Sequence, residues 1–110
     1  MPPRDLSYLT DILQAARQIQ SFIHGVDKER FDDSPLIQSA IIRQIEIIGE
    51  ATKRLSEAFR SEHPDIPWRK VAGMRDILIH AYDHVDLDEV WYAATMAIPE
   101  LILQIEPLVP

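Results

Sequence analysis

Apolar residues recur at helical spacing along the chain, and this pattern predicts four helices. The first covers about Arg4 to His24, and Gly25 is suited to end it. The sequence has neither the alternation of apolar and polar residues nor the Asn-Gly and Asp-Gly turns that are typical of paired strands. We therefore expect an all-α protein.

The second predicted helix follows a polar connector, Val26 to Asp33, and begins at Ser34 and Pro35. We expect it to end at about Phe59 or Arg60. Its apolar residues spread around more than half of its circumference, so it has more than one face to bury. This favours a two-fold dimer, with Gly49 permitting close approach. The alternative is a central helix buried wholly within one chain.

The third predicted helix begins at Asp65–Trp68 and ends at about Tyr82. The fourth begins at Asp86, an acidic N-cap with a glutamate three residues later. Proline has no amide hydrogen, so we expect a kink at Pro99 and an end before Pro107. The four helices predict a compact bundle.

Composition limits the class of protein that this chain can form. Its 110 residues suit a single domain spanning residues 1–110, and the absence of cysteine excludes disulfides and thiolate metal sites. No apolar run approaches the length of a membrane span, and the first residues lack a signal-peptide pattern, so we expect a cytoplasmic protein without a membrane partner.

The charge is unevenly distributed along the sequence. The net charge of −7 argues against a surface that binds nucleic acid everywhere. Residues 53–75 nevertheless hold six bases and three acids, whereas the remaining residues hold five bases and fifteen acids. The net charge therefore does not exclude a local basic site that binds nucleic acid.

The third helix carries the candidate chemistry: Arg75, Asp76, His80 and Tyr82. At about 100° per residue, Arg75 and Tyr82 share a face about 10 Å apart, and His80 lies about 140° around from Arg75. An arginine can clamp a phosphodiester and a histidine can move protons at neutral pH, which together suit RNA cleavage by the 2′-hydroxyl without a metal or other cofactor. Alternatively, Arg75 pairs with an acid such as Asp76 or Glu50, and His80 packs.

A competing hypothesis is metal binding by Asp76, His80 and His84, which are spaced four residues apart. The helix is predicted to end near Tyr82, and no distant motif completes the ligand shell. This hypothesis is the weaker one.

The motif Arg75-x4-His80-x-Tyr82 resembles that of HepT-type toxins, a branch of the HEPN superfamily of metal-independent ribonucleases. Two fixed residues are weak evidence on their own. However, further segments along essentially the whole chain resemble the family's pattern and occur in the same order. These segments are Arg4-Asp5, Tyr8-Leu9-x-Asp11-Ile12-Leu13, Glu46-Ile47-Ile48-Gly49-Glu50-Ala51, Pro64-x-Ile66-Pro67-Trp68, Met74-Arg75, Trp91 and Pro99-x-Leu101.

The resemblance implies a HEPN-type four-helix bundle that cleaves RNA in a cleft between two protomers. Arg75 and His80 would be the catalytic residues, and Asp76 would occupy a supporting polar position. Tyr82 would receive AMP from an MntA-like minimal nucleotidyltransferase antitoxin that uses ATP, as in a type VII toxin–antitoxin system. The alternative is a non-catalytic helical dimer that binds or regulates a nucleotidyltransferase.

Overall fold

The first helix, α1, spans Pro3–Ile23 in a computed structural model that describes residues 1–79 and 85–110, apart from the side chains of residues 77–79. Its predicted bounds are confirmed to within one residue. Pro3 occupies the first turn, where the missing amide hydrogen costs nothing. Gly25 follows the helix with φ +72°, a left-handed conformation that glycine adopts without strain.

A short helix, α2, spans Lys28–Asp32 within the segment predicted to be a connector. That prediction is wrong. Asp27 caps the helix by accepting a hydrogen bond from the Arg30 amide at 2.8 Å. Phe31 is fully buried and packs against Trp91, with ring centroids 5.3 Å apart. This helix contains a single apolar residue among charged ones, so its sequence shows no helical spacing of apolar residues. The helix became evident only from the packing of Phe31 in the structure.

The predicted start of the next helix is confirmed, and its predicted end is wrong. Helix α3 spans Pro35–Arg54, with the Ser34 hydroxyl accepting a hydrogen bond from the Ile37 amide at 3.2 Å. A separate short helix, α4, then spans Glu57–Glu62. The chain therefore turns where the apolar pattern predicted a continuous helix to Phe59 or Arg60.

A contact with the first helix accompanies this break. Leu55 has an extended backbone, and Ser56 caps α4 by accepting a hydrogen bond from the Phe59 amide at 3.1 Å. The carboxylate of Asp5 in turn accepts hydrogen bonds from the Ser56 amide at 2.8 Å and the Ser56 hydroxyl at 2.7 Å. A contact between residues so far apart in sequence is invisible to helical periodicity.

Helix α5 spans Trp68–Ile79 in the described residues. The Trp68 indole donates a hydrogen bond to the His63 carbonyl at 3.0 Å, which ties the start of the helix to the preceding turn. The predicted start is confirmed. The predicted end at Tyr82 lies outside the described residues.

The last helical stretch consists of four consecutive segments: α6 (Leu87–Tyr92), a π-helical turn (Ala93–Ala97), α7 (Ile98–Ile105) and a short 3-10 helix (Glu106–Leu108). Asp86 caps α6 as predicted, by accepting hydrogen bonds from the amides of Asp88 and Glu89 at 3.0 and 3.3 Å. A π-helical turn ends two residues before Pro99, and Pro99 lies in the first turn of α7, while the kink at Pro99 itself stays a prediction.

The helices enclose one apolar core. Helix α3 packs against α1 and α5, and α1 also packs against α7, which confirms the predicted all-α four-helix bundle. Three further apolar residues of α3, Ile37, Ile42 and Ile47, are partly buried against the same core. The apolar residues of α3 are therefore buried largely within one chain, and the dimer stays a prediction. In the part of the chain that the structure describes, no helix is long and apolar enough to traverse a bilayer.

Candidate functional site

Arg75 lies on the side of α5 that packs against α3, and its guanidinium pairs with the carboxylate of Glu50. The Arg75 side chain is 29% exposed, and that of Glu50 is 43% exposed. An ion pair at this exposure contributes about 0.2–1 kcal/mol to stability. Its larger effect is geometric, because it holds the guanidinium in one orientation.

Gly49 brings the two helices together at this point. A Cβ atom added to Gly49 would lie 2.6 Å from the Cβ of Arg75 and 3.3 Å from the carbonyl oxygen of Ala72. A side chain here would therefore push α5 away from α3. The close approach predicted for Gly49 in a dimer is found instead inside the chain, so that assignment is corrected: this surface of Gly49 is occupied by α5.

Asp76 follows Arg75 on α5 and faces a base of α3. Its carboxylate lies 4.0 Å from the ammonium of Lys53, with both side chains about half exposed. Glu50 and Lys53 on α3 therefore meet Arg75 and Asp76 on α5 with opposite charges. This pairing favours a single register between the two helices, because sliding one helix by a turn would separate the matched charges.

A basic cleft of about 550 Å³ opens beside these pairs, with α5 forming one wall. Three of its lining residues are bases, Lys53, Arg60 and Arg69, and two are acids, Glu57 and Asp76. Its remaining lining residues are Ser61, Trp68, Ala72 and Gly73. All of these lining residues except Asp76 belong to the segment of local positive charge, residues 53–75.

Arg60 has an unusual environment at the edge of this cleft. Its Nε atom is buried and has no hydrogen-bond partner among the described residues. A buried donor of this kind costs free energy unless something accepts from it. Arg60 therefore contributes positive charge to the cleft and not an accessible Nε donor.

The predicted site residues divide into two groups. The structure places Arg75 and Asp76 next to each other on α5: Arg75 pairs with Glu50 of α3, while Asp76 lies near Lys53 and lines the cleft. His80 and Tyr82 lie outside the described residues, as does His84 of the competing metal hypothesis. Among the residues that are described, no group of three or more histidine or acidic side chains could hold a metal ion.

Sequence reasoning offered Glu50 as one of two acids that Arg75 could pair with, and it missed the cleft formed by Arg60 and Arg69. The local excess of bases was the available signal. The excess of bases does not indicate which of them line the same cleft, because that depends on the turn between α4 and α5.

Residues 12–108 match the family model described as Ribonuclease HepT-like. The chain belongs to the HepT-like ribonuclease family. This confirms the resemblance on which the HEPN-type bundle was predicted.

Curated relatives of this HepT-like chain match over most of its length. It is 41% identical over 110 residues to "Putative RNase MJ0125" of Methanocaldococcus jannaschii, covering 99% of this chain and 95% of the relative. It is 44% identical over 101 residues to "Probable ribonuclease HepT" of Thermococcus cleftensis, covering 92% of each chain. A third relative, "Putative RNase TTE0752" of Caldanaerobacter subterraneus, is 40% identical over 101 residues, 92% of this chain and 90% of the relative. No solved structure matches the chain.

Proposed function

We propose that this HepT-like chain is an endoribonuclease toxin that cleaves RNA without a metal ion, with Arg75 and His80 as its catalytic residues. The observation that carries the proposal is the placement of Arg75. Its partly exposed guanidinium pairs with Glu50 of α3, and Arg75 lies on α5, the helix whose Arg69 and Asp76 line the cleft. Membership of a ribonuclease family and names that describe relatives as RNases support the same activity.

In the proposed reaction the 2′-hydroxyl of the RNA attacks the adjacent phosphorus atom. His80 takes the 2′-hydroxyl proton or delivers a proton to the departing 5′-oxygen, and Arg75 stabilises the negative charge that develops on the phosphoryl oxygens. The 2′-oxygen–phosphorus bond forms as the phosphorus–5′-oxygen bond breaks. The products are a 2′,3′-cyclic phosphate and a free 5′-hydroxyl.

A two-fold dimer completes the proposed site. A single His80 cannot both accept and donate a proton in one step, whereas two protomers bring two histidines to one groove. Asp76 supports the site from α5, where it neighbours Arg75 and pairs weakly with Lys53.

The test is cleavage of a fluorescent RNA by the purified protein in EDTA, with the dimer measured in parallel by light scattering. Wild-type protein should yield 2′,3′-cyclic phosphate ends, while Arg75→Ala and His80→Ala should each lose about 100-fold or more in rate. Cleavage that disappears in EDTA, or that survives His80→Ala, contradicts the mechanism.

Regulation is proposed to act at Tyr82, through an MntA-like nucleotidyltransferase antitoxin in a type VII system. The tyrosine oxygen attacks the α-phosphorus of ATP, so AMP becomes attached and pyrophosphate leaves. The added phosphate brings negative charge and bulk that oppose RNA phosphates.

To test this step, the RNA cleavage assay is repeated with protein that has been treated with the nucleotidyltransferase and ATP. A mass increase of AMP that is lost in Tyr82→Phe, together with loss of cleavage, is the expected result. AMP addition to a chain that never cleaves RNA favours the non-catalytic partner of a nucleotidyltransferase instead.

A further inference from the structure

Arg75 is held at both ends of its side chain by two adjacent residues of α3. Gly49 leaves room for the Cβ of Arg75, which would otherwise lie 2.6 Å from the Cβ of any larger residue. Glu50 binds the other end, where its Oε1 pairs with Nη1 of the guanidinium. The direction of the guanidinium is therefore set by α3 as well as by its own helix.

The pairing leaves donors free for a second anion. A guanidinium has five N–H donors in a rigid plane, and a phosphate is bound best by two of them in parallel. The contact with Glu50 engages Nη1. The edge formed by Nε and Nη2 can then point at a phosphodiester without losing the carboxylate.

We propose that Glu50 is a positioning residue for RNA cleavage, acting through Arg75. It fixes which edge of the guanidinium meets the scissile phosphate. This inference rests on the proposed function, because it assigns a role in the same reaction. Glu50 itself does not contact the reacting atoms in this scheme.

The sign of the expected effect separates positioning from simple charge. Removing an acid beside an RNA-binding site strengthens the long-range attraction of phosphates, so charge alone would tighten binding and leave or raise the rate. Loss of positioning lowers the rate of the chemical step instead, because a misdirected guanidinium stabilises the transition state less well.

The chain offers a matched control one turn away on the same helix. Glu46 also pairs with an arginine, Arg43, and its side chain is 41% exposed against 43% for Glu50. Glu46→Gln and Glu50→Gln therefore remove the same charge from similar surroundings. Only Glu50 contacts Arg75.

The experiment measures kcat and KM for cleavage of a fluorescent RNA by full-length wild type, Glu50→Gln, Glu46→Gln and the charge-conserving Glu50→Asp. Glu50→Gln should lower kcat about 10- to 100-fold with KM unchanged or lower. Glu50→Asp should recover part of that loss, and Glu46→Gln should match wild type. Equal kcat values for the two glutamine variants would overturn the proposal.

A binding cycle tests whether Glu50 acts through Arg75. The ligand is a 2′-O-methyl RNA, which lacks the nucleophile and is not cleaved. The change in affinity that Glu50→Gln causes should differ between the wild-type background and Arg75→Ala, where only the loss of the Glu50 charge remains. Equal changes in both backgrounds would overturn the proposal. If wild-type protein cleaves no RNA, the proposed function fails first, and that result is distinct from cleavage that is indifferent to Glu50.

Discussion

Asp5 shows how one buried carboxylate can define the boundary between two helices. Its side chain is 2% exposed, and it accepts hydrogen bonds from both the hydroxyl and the amide of Ser56. These bonds favour the ionised form and hold the pKa of Asp5 below its ordinary value of 3.8. The stabilisation is therefore present above pH 3.8 and is lost as the pH falls through the lower pKa of the folded state.

Asp5→Asn should accordingly reduce the free energy of unfolding at pH 7 by about 1 kcal/mol, because the cap of α4 loses its charged acceptor. The deficit relative to wild type should shrink as the pH falls below about 3.8. Urea denaturation at a series of pH values measures both effects. Asp11→Asn, an exposed position on α1, is the control and should change little. A deficit that is independent of pH would contradict this account.

At the scale of elements, the distance between α3 and α5 depends on Gly49 but not on Gly73. A Cβ on Gly49 would lie 2.6 Å from the Cβ of Arg75, whereas a Cβ on Gly73 would meet nothing within 4 Å. Both glycines lie within helices, where alanine is intrinsically favoured. The two positions therefore separate helix propensity from packing.

Gly49→Ala should destabilise the protein by about 1–3 kcal/mol and slow RNA cleavage, because α5 must move and carry Arg75 with it. Gly73→Ala should stabilise it by up to about 1 kcal/mol. Thermal denaturation monitored by circular dichroism measures the stability of each variant, and the RNA assay measures activity. Equal melting temperatures for the two variants would show that the close approach at Gly49 is unimportant.

At the scale of the whole molecule, an acidic protein carries a confined basic surface. The net charge is −7, yet the cleft beside α5 is lined by Lys53, Arg60 and Arg69. If the protein acts on RNA as proposed, its general acidity should repel RNA from most of the surface and direct contact to the cleft. Binding there should depend on salt to the extent of a few phosphate contacts.

Arg69→Ala should weaken binding of a 2′-O-methyl RNA to a similar degree for different sequences, because the contact is to phosphate. The slope of log K against log salt should fall in magnitude by about 0.7 for one lost contact with single-stranded RNA. Fluorescence anisotropy over a salt series measures the slope. Arg17→Ala removes a base outside the cleft that pairs with Glu106 at 3.2 Å, and should leave the slope unchanged. Equal slopes for both variants would exclude the cleft as the RNA surface.

Features that depend on nearby residues could be predicted from the sequence, and features that depend on distant contacts could not. The caps at Ser34 and Asp86 are local, and the structure has both. The break at Leu55 escaped prediction because it accompanies a contact from Asp5. The candidate site divides in the same way: Arg75 stood out by residue type, whereas the fit of Gly49 against it requires two packed helices.

The π-helical turn at Ala93–Ala97 bears on changes in chain length. Such a turn holds one residue more than a regular α-helical turn, so it absorbs an extra residue without rotating the rest of the helix. Val90 before it and Ile98 after it both face the core. In α3 an inserted residue would rotate every later side chain by about 100° and expose the core face. Among the described helices, the last one therefore contains a turn that holds one residue more than an α-helical turn while Val90 and Ile98 on either side of it stay buried.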